Sequence, residues 1–274
     1  MINGIDVSKH QGKIDWRAVA LFRDAAGQPI EFAFIKATEG DYVDPYIDKR
    51  FRYNFDEARL HALLAGPYHF ARRSRTHVVG RPAHLWHLLD AEREALHFAR
   101  TVGALEPGDL DPVLDIEWDK RSREWKFTAR ETVQWCARFC EVLESELGRR
   151  PVIYTGKNFW KYKLGSSDAL FDYTFWNARP DESGRRTSPR LKVPGWTSKF
   201  WQHSWRGRVD GIKGPVDLDR FMGTRQDLNV YAGLGPAMAH PNPFLGLASS
   251  NPIYSDALAF VIEYFQPAKP RRAA

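Results

Sequence analysis

Short apolar runs, rich in β-branched and aromatic residues, recur along this chain with segments of helical period between them. The clearest is Phe32–Ala37 (FAFIKA), apolar on nearly every position. Strands of that kind need cover on both faces, and strands joined through helices run parallel with right-handed crossovers. The candidates are Ile2–Val7, Phe32–Ala37, Pro67–Phe70, Pro112–Ile116, Val152–Tyr154, Tyr173–Ala178, Lys199–His203 and a short run at Val216–Leu218. Helices are expected at Asp15–Ala26, Tyr46–Leu64, Ala83–Val102 and Thr128–Leu147, with Gly103 and Gly148 closing the last two. Little helix separates the last three strands. The pattern predicts an α/β chain whose eight strands form one TIM-like barrel, closed or nearly so, with fewer helices in its second half.

The 274 residues suffice for one such barrel. No apolar run approaches the roughly 18–20 residues that a membrane span needs. The opening MINGIDVSKHQG has no basic segment followed by an apolar one, so no Sec-type leader is expected. Arg179–Gly195 is polar, basic and broken by prolines, and reads as a long loop. After Met222 the pattern changes, which predicts a barrel over 1–223 and an appendage over 224–274. Within the appendage, Ile253–Phe265 is apolar on most faces, as expected of a helix that docks on the barrel or on a partner protein. Cys136 and Cys140 share a helix face at a spacing that seldom bonds, so both should be free thiols.

The formal charge of +6 suits an anionic partner, and the arginines at 72–75 and 185–190 are candidates for that attraction. Aromatic residues make up 14% of the chain, with ten tryptophans, more than a core usually needs. Surplus Trp and Tyr often line a ligand groove. In a parallel barrel the reactive groups stand at the C-terminal ends of strands. Those positions supply Asp6, Lys36, Glu39, Tyr68, His69, Asp115, Glu117, Tyr154, Trp176, Asn177, Trp201, Gln202 and Asp217. Acids thus end the first, fourth and last strands, and closure makes the first and last neighbours.

Asp115 and Glu117 stand two apart in PVLDIEW, so both face one side of a strand with Cα atoms about 6.6 Å apart. One protonated acid beside one carboxylate is the equipment of glycoside hydrolysis. A divalent metal site or two solvated strand-end acids are the plain alternatives. His84, His87 and Asp90 have a helical spacing that zinc could use, but without a fourth ligand they read as a helix face. No GxGxxG, Walker A or GxSxG pattern occurs.

The ordered set GIDVSKHQGKIDW, FAFIKATEG, GPYHFAR, PVLDIEW, PVIYTG, FWNARP, FWQHSW and GPVDLDRF resembles the glycoside hydrolase family 25 muramidases across about residues 2–222. The resemblance implies a modified (β/α) barrel that cleaves the β-1,4 bond between N-acetylmuramic acid and N-acetylglucosamine. It matches Glu117 to the general acid, Asp115 to the partner carboxylate, and Asp6 and Asp217 to two further acids. Asp219 aligns less well than Asp217. Lys36, Tyr68, Tyr154, Trp176, Trp201 and Gln202 are expected to contact the sugars. No metal or organic cofactor is implied. The partner is peptidoglycan, not nucleic acid, and the action is at the cell wall, after secretion or delivery by a route other than Sec. The sequence departs from the family in a long basic link at Arg72–Leu89, in Asn177, and in the tail beyond Gly223. The rival readings are a catalytically silent sugar-binding barrel and a chitinase-like hydrolase.

Overall fold

The computed structural model of the protein describes residues 1–40, 46–73, 82, 85–118, 127–180, 195–196 and 198–235. Its nine strands form one sheet: β1 (Ile2–Val7), β2 (Ile30–Glu39), β3 (Tyr46–Ile47), β4 (Leu64–Phe70), β5 (Val113–Asp115), β6 (Val152–Thr155), β7 (Thr174–Ala178), β8 (Ser198–Gly207) and β9 (Val216–Phe221). The order β1-β9-β8-β7-β6-β5-β4-β2 closes through a β1–β2 pairing, and β3 is a two-residue flank on β2. The barrel is therefore eight-stranded, as the pattern predicts.

One expectation of direction fails. β9 runs antiparallel to both β8 and β1, while the other barrel pairs are parallel. The link from Gly207 to Val216 is shorter than the dozen or so residues a parallel crossover needs. Reversal places the start of β9, not its end, on the rim where the other strands finish.

The helices are α1 (Trp16–Leu21), α2 (Phe51–Leu60), α3 (Trp86–Val102), α4 (Ala129–Leu147), α5 (Lys157–Lys163) and α6 (Arg225–Tyr231). α4 carries both terminal signals: Thr128 and Glu131 form a capping box, and Gly148 closes it at φ 64°. Two expected helices are shorter than their periodicity suggests. The first stops at Leu21 because Asp24 accepts hydrogen bonds from the amides of Ala26 and Gln28 and builds a turn instead. The second begins only at Phe51, since Tyr46–Ile47 pairs with β2 and Asp48 accepts from the Arg50 amide; Leu64 already belongs to β4.

The barrel is filled by every second residue of each strand. Ile2, Phe32, Phe34, Leu64, Val113, Val152, Phe200 and Phe221 belong to one buried cluster, which Leu228, Tyr231 and Ala232 join from α6 and the residue after it. Phe34 meets Trp176 at 4.5 Å and Phe200 at 5.2 Å between ring centroids. The appendage expected from 224 is thus barrel core at its start, and the compact unit runs from Met1 to Ala237. The helix expected at Ile253–Phe265, with its docking or partner role, lies outside the described residues. Among the described residues no helix is long and apolar enough to cross a membrane. Cys136 and Cys140 are free and buried.

Large rings inside so narrow a barrel require small neighbours. A Cβ on Gly4 would sit 2.3 Å from the Phe32 ring. Gly4→Ala is therefore expected to cost about 1–3 kcal/mol by overpacking, read as a fall in Tm of several degrees. An unchanged Tm would show that the Phe32 ring has room to move.

Candidate active site

Following each strand inward by twos leads from apolar to polar residues: Ile2 and Gly4 to Asp6, Phe32 and Phe34 to Lys36, Leu64 and Gly66 to Tyr68, Val113 to Asp115. β6, β7 and β8 contribute Tyr154, Trp176 and Gln202 in the same way. The antiparallel β9 supplies Asp217 at its start, directly opposite Asp6. These residues line a cleft of about 610 Å³ at one end of the barrel, and Glu117 joins them just past β5. The extended backbone continues to Glu117 because the Ile116 amide donates to Tyr154 O at 3.0 Å and Thr155 Oγ1 donates to Ile116 O at 2.6 Å. Ile116 is fully buried, so Asp115 and Glu117 on either side of it turn together to the cleft.

Four acids on one rim cannot all be charged without cost. Burial, and then the charge of Glu117, pushes the Asp115 carboxyl well above the usual carboxylate range, with Lys36 opposing. Its Oδ1 is buried and has no hydrogen-bond partner. Glu117 is only partly buried. In the open cleft, burial therefore favours the neutral form of Asp115. Burial also pushes Asp217 up to about 6. Asp6 is raised by burial and by Asp217, while hydrogen bonds from Gln202 and Asp219 pull the other way.

Polar partners fix the cleft walls. Gln202 Nε2 donates to Asp6 Oδ2 at 2.7 Å, and Gln202 Oε1 accepts from Tyr154 OH at 2.9 Å. Lys36 Nζ meets Glu39 Oε2 at 2.6 Å and lies 4.8 Å from the centre of the Phe70 ring. Beyond Glu117 the cleft continues into a second depression of about 370 Å³ that includes Lys9, Tyr46 and Arg72. There Arg72 grips Glu39 through Nε and Nη2 at 2.9 and 2.7 Å. The Glu39 carboxyl is held below its usual value although burial opposes this, because Lys36 and Arg72 outweigh it.

Of the expected contact residues, Lys36, Tyr68, Tyr154, Trp176 and Gln202 line the cleft and Trp201 does not. Trp201 precedes Gln202 on β8, so it faces the opposite side, where Nε1 donates to Arg179 O at 2.8 Å. Asn177 turns outward as well, fully buried and with neither amide atom partnered. His69 also points away from the cleft, bonding Thr38 Oγ1 and Glu94 Oε2 at 2.7 Å each. Burial holds His69 well below its usual pKa, so it is neutral. His87 bonds Gln134 and Asp90 accepts from Trp135; His84 lies outside the described residues. Arg73 is no surface cation: it is 3% exposed, with its guanidinium 4.9 Å from the Phe159 ring centre. Arg75 and the cluster at 185–190 lie outside the described residues.

Two exposed tryptophans that line the cleft escaped the sequence reading. Trp118 is 52% exposed and stands beside Glu117 at the mouth of the cleft. Trp205 is 54% exposed, with Nε1 donating to Gln202 Oε1 at 2.8 Å. Simple alternation groups Trp205 with Trp201, but β8 bulges between Gln202 and Ser204 against β9, and the extra residue turns Trp205 to the side of Gln202. Trp118 was legible from its place next to the D-I-E triplet. The bulge left no mark in the sequence.

The family model of glycosyl hydrolases family 25 matches residues 5–212. The uncharacterised Escherichia coli protein YegX is 36% identical over 236 residues, 84% of this chain and 73% of its own length. Lysozyme M1 of Streptomyces globisporus is 32% identical over 235 residues, 84% of this chain and 71% of its own. Among solved structures, the bacterial lysozyme of Streptomyces coelicolor superposes with a TM-score of 0.70 at 31% identity, covering 84% of this chain and 96% of that one.

Proposed function

The chain belongs to glycosyl hydrolases family 25, and on that premise we propose how its four cleft acids divide the work. The protein is a peptidoglycan muramidase that hydrolyses the β-1,4 bond between N-acetylmuramic acid and N-acetylglucosamine, and its substrate places its action at the cell wall. The observation that carries the assignment of roles is the meeting of Asp115, Glu117, Asp6 and Asp217 on one aromatic-walled rim.

Glu117, the more exposed of the D-I-E pair, protonates the glycosidic oxygen as the bond to the anomeric carbon breaks. The positive charge developing at that carbon favours the anion of Asp115, and a sugar seated over Glu117 removes water from it. Both effects favour passing a proton from Asp115 to Glu117 as the cleft fills. Asp115 then stabilises the oxocarbenium-like centre, either by bonding to it or by orienting the substrate's acetamido group. Glu117, now a carboxylate, takes the proton of the incoming water, so acid and base are restored in one turnover. Asp6 and Asp217 set the charge around the pair. Trp118 and Trp205 offer exposed indole faces to the flanking sugars.

Mass spectrometry of the products from defined peptidoglycan tests this reading. New reducing ends on N-acetylmuramic acid are expected. Reducing ends on N-acetylglucosamine would mean that the other glycosidic bond is cut. No new ends at all would return the silent sugar-binding barrel.

A further inference from the structure

The deepest acid of the barrel has no part in these steps. Asp219 is fully buried, one inward position below Asp217 on β9 and opposite Gly4. Its Oδ1 accepts from Trp176 Nε1 at 2.9 Å. Its Oδ2 is buried with no hydrogen-bond donor, and the acid beside it is Asp6, two residues beyond Gly4 on β1. No lysine or arginine among the described residues pairs with either carboxyl. Two carboxyl groups hydrogen-bond to each other only if one keeps its proton. A second anion at this depth, with no cation, would cost several kcal/mol.

We propose that Asp219 is a positioning residue that works as a neutral carboxylic acid, donating its Oδ2 proton to Asp6 and so holding Asp6 as the anion of the cleft. Depth and partners decide which acid keeps the proton. Asp6 reaches the cleft and accepts a second bond from Gln202, whereas Asp219 lies beneath it at 0% exposure. Burial first, and then the Asp6 charge, pushes the Asp219 carboxyl up, while the same hydrogen bond lowers Asp6. The other titratable groups facing this pair are Asp217 and, toward Asp6, Glu117, Asp115, Tyr68 and Tyr154; the acids among them add to the pressure against a second charge.

The consequence is a hydrogen-bond chain of fixed polarity. An anionic Asp6 can only accept, so Gln202 must present Nε2 to it. That leaves Gln202 Oε1 to accept from both Tyr154 OH at 2.9 Å and Trp205 Nε1 at 2.8 Å. A protonated Asp6 could instead donate to Oε1, turn the amide, and release the two aromatic walls. The proton on Asp219 thus pins residues at the mouth of the cleft that it never touches. The functional part of this inference rests on Asp6 belonging to the catalytic acids; the location of the proton does not.

Asp219→Asn and Asp219→Ala separate the roles. Asn keeps an oxygen for Trp176 and an N–H for Asp6, and Ala keeps neither. Asp219→Ala is expected to lower kcat about five- to a hundredfold, the worth of one buried hydrogen bond, and to move the acid limb of the pH profile to higher pH, because Asp6 then protonates more easily. Asp219→Asn is expected to rescue most of kcat and return the limb to its original place. If Asn is as slow as Ala, or if Ala leaves the limb unmoved, the positioning role fails. The proton itself is read in the folded wild-type chain by 13C NMR of labelled aspartate carboxyls, with the signal assigned by its loss in Asp219→Asn. It should keep its protonated shift through neutral pH whether or not Asp6 takes part in catalysis. Titration of that signal near the ordinary carboxylate range would overturn the proposal even if Asp219→Ala does not fold.

Discussion

Replacing Glu117 by Gln is expected to lower the turnover of peptidoglycan by roughly 10²–10⁴-fold, the usual contribution of general acid catalysis. The amide preserves the shape at the end of the D-I-E triplet but has no proton to give to a leaving oxygen. Fragment binding should survive, because the cleft-wall residues Tyr154, Trp176 and Gln202 are tied through hydrogen bonds to one another or to Asp6 and Asp219. The check is kcat and fragment affinity measured on the same preparation. Near-normal kcat would transfer the acid role to another residue of the rim. A joint loss of binding and turnover would mean that Glu117 holds substrate and does no chemistry.

Asp115→Asn should lower turnover by roughly 10²–10³-fold, since it removes the charge aimed at the developing cation, and yet make the protein more stable. The sign follows from proton binding. An aspartate in the unfolded chain ionises near pH 3.9. In the fold, burial and Glu117 keep Asp115 protonated to well above that. From about pH 4 upward the folded state therefore binds more protons than the unfolded state, and wild-type stability falls as pH rises. The amide has no such dependence. Its gain in Tm should be small at pH 4 and grow toward neutral pH. Asp217→Asn should show the same trend with its rise complete near pH 6, where burial places that group. A gain in Tm that is equal at both pH values would show that the amide acts by packing rather than by relief of charge.

Much of this site was legible in the primary structure because strands have a period of two. Once FAFIKA or PVLDI is read as a strand, the inward series is set, and its last polar member falls at the rim: Lys36, Asp115, then Glu117. The same rule, applied strictly, would have rejected Trp201. Gln202 and Trp201 are adjacent and cannot both face the sugars, so including both let the aromatic pattern override the geometry. Trp205 was out of reach for the opposite reason. A single-residue bulge reverses side-chain parity, and bulges depend on how two strands meet. Helix ends were poorly legible where turn-forming side chains competed with the periodicity, as Asp24 and Asp48 do. Arg73 reads as surface charge in RRSR, and only packing against Phe159 buries it.

Local chemistry in the chain determined the elements, their alternation, the cap and stop of α4, and the presence of carboxyl groups at three strand ends. These depend on neighbours within a few residues, which any stretch of sequence carries with it. The tertiary structure alone decided the rest. It turned β9 around, so that Asp217 meets Asp6 from the opposite chain direction. It sank Asp219 below them, where a residue that sequence ranks behind Asp217 becomes the partner of Asp6. It buried Asp115 more deeply than Glu117 and so raised the cost of charging Asp115. Burial and through-space charge set where protons reside, and both are sums over residues far apart in the chain that only closure of the barrel brings together.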